Sequence, residues 1–432
     1  MIILGISAYH FDSSACLLIN GKLVGAISEE RLGKRIKHDS SFPINSIKFL
    51  LESNSISIEN VDYVAVGQDK KKNLLTKINY SLTDIKNSYP AFINSTKKLS
   101  KVNKIKDELK NLITNKDKKL KFKIIRVEHH LAHTASSYLL SSFKGKSASL
   151  SFDGSGDFVS MMLSECKNNK IKILKKIHLP DSIGFFYTAI TQFLGFQNYG
   201  DEYKIMGLAA YGQHSNNYDM SKIIKIDDKE FYKINNKYIK MHSGGSAEKV
   251  FNSNVVIDKW FKPEIEQLLG KSRKPNSKIK QSHMDIARAV QTHFEKISLE
   301  CIKKLSKLVD TKNLCLSGGC ALNGLLAGKI AKNTKFKNIY IPPASSDDGL
   351  SVGAAFYLWN NILNNKRTSP MKHAYWGPEY NNDQILKIIM KNKLSYKLIN
   401  NNNEICKRVS KLIANGSVIG WFQGREELGQ RA

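Results

Sequence analysis

The 432-residue sequence predicts an internally duplicated α/β fold. Three stretches carry that prediction. "IILGIS" runs into a polar turn holding Asp12 and returns as "SACLLI". "SASLSFDGSGD" carries Asp153 into a second polar turn and returns as "FVSMMLSE". The two hairpins share one form, a strand delivering an acidic residue to a turn. The third stretch, "SGGCALN" from Ser317 to Asn323, reads as a strand, a diglycine turn and a helix start. Glycines let backbone approach a phosphate, and a helix N-terminus favours an anion. Two acidic hairpins and a glycine turn enclosing a nucleotide is an actin-like arrangement.

Taken in order, Asn20-Gly21 is a strong hairpin signal, and "KLVGAISEE" follows it as a third strand. "PINSIKFLLESN" has apolar residues at helical spacing, so a helix starts near Pro43. "VDYVAVG" is another strand. Asp69 to Lys123 is lysine-rich, helical and poor in core residues. "KIIRVE" returns as a strand and feeds "EHHLAHTASSY", a helix with three histidines in five positions. A long helix from about Asp285 to Leu308 places Ile286, Val290, Phe294, Ile297, Cys301 and Leu305 on one face. "NLCLSGG", "ALNGLLAGKIA", "NIYIPP", "ASSDDG" and "LSVGAAFYLWNNI" then alternate strand, helix, strand, turn and helix.

After Lys366 the pattern changes. "RTSPMKHAYWGPEYNN" reads as a linker, followed by helices "DQILKIIMKN" and "EICKRVSKLIA", a stop at Gly416 and a strand "VIGWF". The expected domains are 1–366 and the start of a second, cut off, at 367–432.

Composition bounds the class. Hydrophobic residues make up 41% and charged residues 24%, as in soluble globular chains. No run approaches the roughly 18 apolar residues of a membrane span. The N-terminus lacks the basic start of a signal peptide, which predicts a cytoplasmic protein without a membrane partner. The six cysteines are scattered without a CxxC pair, so neither a disulfide framework nor a zinc ribbon is expected. The net charge of +29 is spread over a chain rich in Lys, Asn and Ile, without interleaved aromatics. It does not point to a nucleic-acid partner. Oligomeric state is not legible.

His129 and His133 fall one helical turn apart, a metal-ligand spacing. No glutamate lies between them, so a hydrolytic zinc site is not expected, and a packed histidine pair weighs equally. Oxygen partners beside imidazole suit iron, manganese or magnesium. Asp153, and Asp347 or Asp348 in "SSDDG", lie at strand ends where ligands collect. Lys204 in "GDEYKIMGLAAYG" could meet a phosphate or carboxylate, with a packed loop equally consistent. Lys34, Arg35 and Lys37 follow a strand and suit an anion or a solvated turn. Arg425 and Arg431 could clamp a phosphate, or form an exposed charged turn.

Together these stretches resemble the NodU/CmcH carbamoyltransferase family. The matches run in order: "LGISAYH" with "DSSA", "EERL" with "KRIKH", "EHHLAHTASS", "SFDGSGD", "SIGFFYTAITQFLGF", "DEYKIMGLAAYG", "LCLSGGCALN", "PPASSDDGLSVGAA" and "WFQGREELGQRA". The resemblance implies an actin-like duplicated ATPase fold, of the threonylcarbamoyl-transferase type, followed by the truncated start of a YrdC-like α/β domain. It implies an O-carbamoyltransferase. Carbamoyl phosphate and ATP would give carbamoyl-adenylate, and the carbamoyl group would pass to a hydroxyl of a sugar, glycan or natural-product acceptor. Fe(2+) is the implied cofactor, with room for Mg(2+). By position, His129, His133, Asp153 and Asp347 match metal ligands, with Asp348 as alternative to Asp347. His10 matches the catalytic histidine, although Phe11 separates it from Asp12 where many members have His-Asp. Lys37, Gly318, Gly319 and Asn323 fall on nucleotide-contacting stretches, and Arg425 and Arg431 on the carbamoyl phosphate motif.

The chemistry is sound on general grounds. A hydroxyl is a weak nucleophile and needs a base such as His10, and a metal would steady charge on the carbonyl. Family members continue beyond "GQRA", so this chain alone is expected not to make carbamoyl-adenylate. A tRNA threonylcarbamoyl-transferase and a non-catalytic nucleotide-binding module are the alternatives.

Overall fold

The computed structural model describes residues 1–33, 36–83, 104–113, 120–240, 249–251, 254–368 and 370–430. Lys34, Arg35, Arg431 and much of the lysine-rich stretch lie outside the described residues.

Two five-stranded sheets carry the fold. The first holds β1 (Ile2–Ser7), β2 (Ser14–Ile19), β3 (Lys22–Ser28), β4 (Tyr63–Val66) and β5 (Lys123–Arg126) in the order β3-β2-β1-β4-β5. The meander β1–β2–β3 is antiparallel, while β4 and β5 add in parallel. The second begins with β6 (Ser147–Gly156), β7 (Val159–Lys167) and β8 (Lys170–His178). Two short pairs intervene, β9 (Ile224–Asp227) with β10 (Phe231–Ile234) and β11 (Lys249–Phe251) with β12 (Asn254–Val256). Strands β13 (Asn313–Ser317) and β14 (Asn338–Tyr340) then complete the order β14-β13-β6-β7-β8. Here too the meander is antiparallel and the last two strands parallel. Read from the meander edge, both sheets run third, second, first, fourth, fifth. The duplication expected from the acidic hairpins is present, in the actin-like order.

Helices His129–Tyr138 and Leu350–Tyr357 lie between the sheets. Covered on both faces, β1 becomes an unbroken apolar run, with Ile3, Leu4 and Ile6 wholly buried. The two helices approach so closely that a Cβ at Gly353 would meet the carbonyl of Ala132. The long helix spans Gln281–Leu308 and buries Ile286, Val290, Phe294, Ile297, Cys301 and Leu305 as the spacing predicts.

The region beyond Lys366 is anchored at both ends. Arg367 donates to the carbonyls of Tyr138, Ser141 and Phe143, fastening the expected linker to the core. Strand β15 (Tyr375–Glu379) pairs with β16 (Arg425–Glu427), and Leu428 is buried. Between them, helices Asn382–Lys391 and Asn402–Ala414 have a polar and an apolar face but bury no residue. The strand expected at "VIGWF" is absent, and Val418 is 99% exposed. A strand needs a ladder partner, and none of the described strands lies beside it. Among the described residues no helix is long and apolar enough to cross a membrane.

Candidate active site

The histidine helix begins at Glu128, whose side chain accepts from the backbone N–H of Leu131. Asp157, at the far end of β6, accepts from the N–H of His129 at 3.0 Å. These two carboxylates fix the first turn, and so the direction of its histidines. His130 bonds elsewhere than its two neighbouring histidines. Its ring nitrogens meet Ser151 Oγ at 2.8 Å and the Val159 carbonyl at 2.9 Å, and burial holds its pKa well below the ordinary value. It ties the helix to β6 and β7.

His129 and His133 face each other, Nε2 to Nε2, at 3.1 Å. Asp153 Oδ2 lies 3.2 Å from His133 Nε2 and 3.7 Å from His129 Nε2. Asp347 Oδ1 lies 3.2 and 3.4 Å from the same two atoms. All four ligand atoms fall within 4.8 Å of one another. Gly156 makes room for the cluster, since a Cβ there would collide with the His129 ring.

Burial pushes the His129 pKa down in spite of Asp347. At His133 burial also opposes the charge, but Asp153 and Asp347 outweigh it and raise the pKa to about 9. Asp153 is held down to about 2 by the two imidazoles, against burial and the charge of Asp347. Asp347 stays well below the ordinary range against burial, because His10, His129 and His133 surround it. Asp348, one residue on, is pushed well above the ordinary range by burial and then by Asp12 and Glu30. It does not join the four-residue cluster.

The donor set fits a divalent metal. Two imidazole nitrogens and two carboxylate oxygens converge in a buried place, and Asp347 Oδ1 has no hydrogen-bond donor in good geometry. Such a set suits iron or manganese better than zinc, which favours sulfur and nitrogen.

Asp153 and Asp347 of the cluster line a cavity of about 420 Å³. His10 lines it, with its Nδ1 in close contact with Asp347 Oδ2. Phe11, the extra residue of the turn, is buried and stacks on Tyr199 at 3.8 Å. Tyr9 and Asp12 on either side both take positive φ, 58° and 59°. The turn therefore sends His10 toward the cluster and Asp12 toward His38.

Lys37, Gly319 and Asn323 also line the cavity. Asn323 caps helix Gly324–Asn333 by accepting from Leu326, and exchanges hydrogen bonds with Gln291 at 3.0 Å. Gly318 stands behind the wall. Its φ of 88° and its closeness to the Phe152 carbonyl leave no space for a side chain. Lys204 is not among the lining residues; it pairs with Asp201 at 2.7 Å. Its neighbours Glu202, Tyr203 and Met206 line the cavity instead. Arg425 spends its guanidinium on the carbonyls of Trp376 and Gly377, away from the cavity. Arg431 lies outside the described residues.

Several lining residues were not anticipated. Phe185 stacks on Trp260 at 4.0 Å to make a flat aromatic wall. Glu202, its pKa raised by burial, bonds Thr188 at 2.6 Å. His38 and Gln430 complete the rim. His38 directly follows Lys37, a signal that was available. Nothing local marks Trp260 or Gln430.

Sequence comparison gives the chain its relatives. The family described as "Carbamoyltransferase N-terminus" matches residues 2–356. An uncharacterised protein of Synechocystis, sll1178, is 32% identical over the whole chain, which covers 69% of its length. Nodulation protein NolNO of Sinorhizobium fredii is 28% identical over 99% of the chain and 58% of its own length. Nodulation protein NolO of Bradyrhizobium diazoefficiens is 28% identical over 71% of the chain and 52% of its own. The chain thus spans little more than half the length of these nodulation proteins. Among solved structures, the activator of 2-hydroxyisocaproyl-CoA dehydratase from Clostridium difficile overlaps 84% of this chain and 96% of its own, at 14% identity and a TM-score of 0.44. With residues 2–356 matched by that family, the chain belongs to the carbamoyltransferase family.

Proposed function

We propose that this chain transfers a carbamoyl group from carbamoyl-adenylate, derived from carbamoyl phosphate and ATP, to a hydroxyl of a sugar, glycan or natural-product acceptor. The supporting observation is that His10 and Asp347 line one cavity, with Asp347 also beside the histidine pair, in a chain of this family.

His10 turns its Nδ1 toward Asp347, which leaves Nε2 to take the proton of the acceptor hydroxyl. Asp347 fixes the tautomer and orientation of the ring, as an orienting carboxylate does in other acyl transfers. Held by His129, His133, Asp153 and Asp347, an Fe(2+) ion would supply Lewis acidity to the carbamoyl carbonyl. Gly319, Asn323 and Lys37 line the same cavity, which supports assigning them to the nucleotide part. The Phe185–Trp260 wall suits a flat or ring-bearing group. Leaving AMP rather than phosphate needs stabilised negative charge, which Lys37 can provide.

The test supplies synthetic carbamoyl-adenylate with a panel of sugar and aminoglycoside acceptors and follows acceptor-dependent AMP release. The wild-type chain loaded with iron should release AMP, and His10→Ala should reduce the rate by about 10²–10⁴-fold. AMP release that no acceptor accelerates, or an unaffected His10→Ala variant, would overturn the reading.

A further inference from the structure

His38 is held on two sides. Its Nδ1 lies 2.6 Å from Asp12 Oδ1, and its backbone N–H donates to Glu30 Oε2 at 2.7 Å. Gln430 donates to the other oxygen of Asp12, so that carboxylate is fixed as well. Tyr199 meets the imidazole edge-on, with ring centres 5.1 Å apart. The ring can hardly turn.

The remaining nitrogen, Nε2, is buried and has no hydrogen-bond partner. His38 is only 4% exposed, yet it lines the cavity. A buried polar atom without a partner is costly, and a ligand atom could satisfy it. The ring packs against Gly200, another residue of the cavity wall, where a Cβ would strike Nε2. Lys37, the adjacent residue, also lines the cavity, its ammonium 5.6 Å from the Tyr203 ring.

The charge state follows from the surroundings. Burial disfavours the imidazolium, but Asp12 outweighs it and the His38 pKa is raised. With Nδ1–H donated to Asp12, a protonated ring offers Nε2–H as a cationic donor. A cationic donor beside a lysine suits an anionic oxygen.

We propose that His38 is a ligand-contacting residue of the cavity, presenting Nε2 to a phosphate group of the bound substrate while Asp12 and Gln430 hold it in place. The assignment rests on the transferase reading only for the source of that phosphate, the adenylate or carbamoyl phosphate.

Two substitutions separate contact from scaffolding. His38→Asn reproduces Nδ1, keeping the bond to Asp12 but losing the unpartnered second ring nitrogen. His38→Gln reproduces Nε2 and reaches the cavity without bonding Asp12. AMP, adenosine and carbamoyl phosphate are titrated separately by calorimetry, with thermal unfolding as a check that each variant folds. The wild-type chain should prefer AMP over adenosine, or bind carbamoyl phosphate. His38→Asn should lose about tenfold of that phosphate-dependent affinity, and His38→Gln should keep most of it. Whichever phosphate ligand weakens in His38→Asn is the source. Equal losses in both variants, a loss confined to His38→Gln, or no phosphate-dependent binding in the wild type would overturn the assignment. Acceptor-dependent AMP release tests the transferase reading on its own. Phosphate binding that follows this pattern without turnover keeps His38 in place and removes the reaction.

Discussion

His130 sits between two site histidines in the sequence and plays a different part from either. Spacing puts His129 and His133 on one face, but only the fold supplies Ser151 and the Val159 carbonyl that occupy His130. The same limit applied to the two aspartates of "SSDDG". Sequence left Asp347 and Asp348 open, whereas the structure brings Asp347 alone to the histidine pair. Metal analysis of purified variants checks this. Asp347→Asn and His133→Ala should each lose bound iron, while Asp348→Asn should retain it. Asp157 gives a test with a pH sign. Burial opposes its ionisation, but Lys70 and the N–H groups of Asp69 and His129 hold its pKa below the ordinary range. A folded pKa below the unfolded one stabilises fully above about pH 4, the unfolded carboxylate value, and the contribution fades as pH falls through the folded value. Asp157→Asn should therefore lower stability by about 2 kcal/mol at neutral pH. Denaturant melts should show that gap closing on acidification; a gap constant with pH would mean that charge plays no part.

The elements that were easiest to read have both faces or one clear stripe buried. The long helix and the two meanders belong here, because burial and periodicity point the same way. "VIGWF" shows the converse. Its composition is strand-like, yet a strand is a relation between segments, and the described residues offer it no neighbour. Helix contact was equally hidden. Gly353 looked like one glycine in an apolar helix, but it is where the two central helices touch. Gly353→Ala should drive them apart and lower stability by about 1–3 kcal/mol, read by chemical denaturation. Gly156→Ala acts at the next contact, displacing the His129 ring. Its larger effect should fall on iron occupancy, and a variant that binds iron as the wild type does would show that the ring can move aside.

At the scale of the molecule, the duplication was legible because each half announces itself by an acidic hairpin. Which strands pair across long gaps was not, since β6 meets β13 only after more than a hundred intervening residues. The contribution of "EELGQ" to the cavity was hidden for the same reason. Protection should be uneven. Amides of helices Asn382–Lys391 and Asn402–Ala414, which bury no residue, should exchange with solvent far faster than those of β1, β6 and His129–Tyr138. Hydrogen exchange read by mass spectrometry checks this, and equal protection would mean that something covers those helices. Finally, Gln430 reaches back across 418 positions to Asp12, in the first turn of the chain. Translation is vectorial, and β1, β2 and β3 leave the ribosome long before residue 430 is made. For most of synthesis Asp12 must therefore stand without this partner. The nascent chain can therefore assemble both sheets before Gln430 arrives to close this part of the rim.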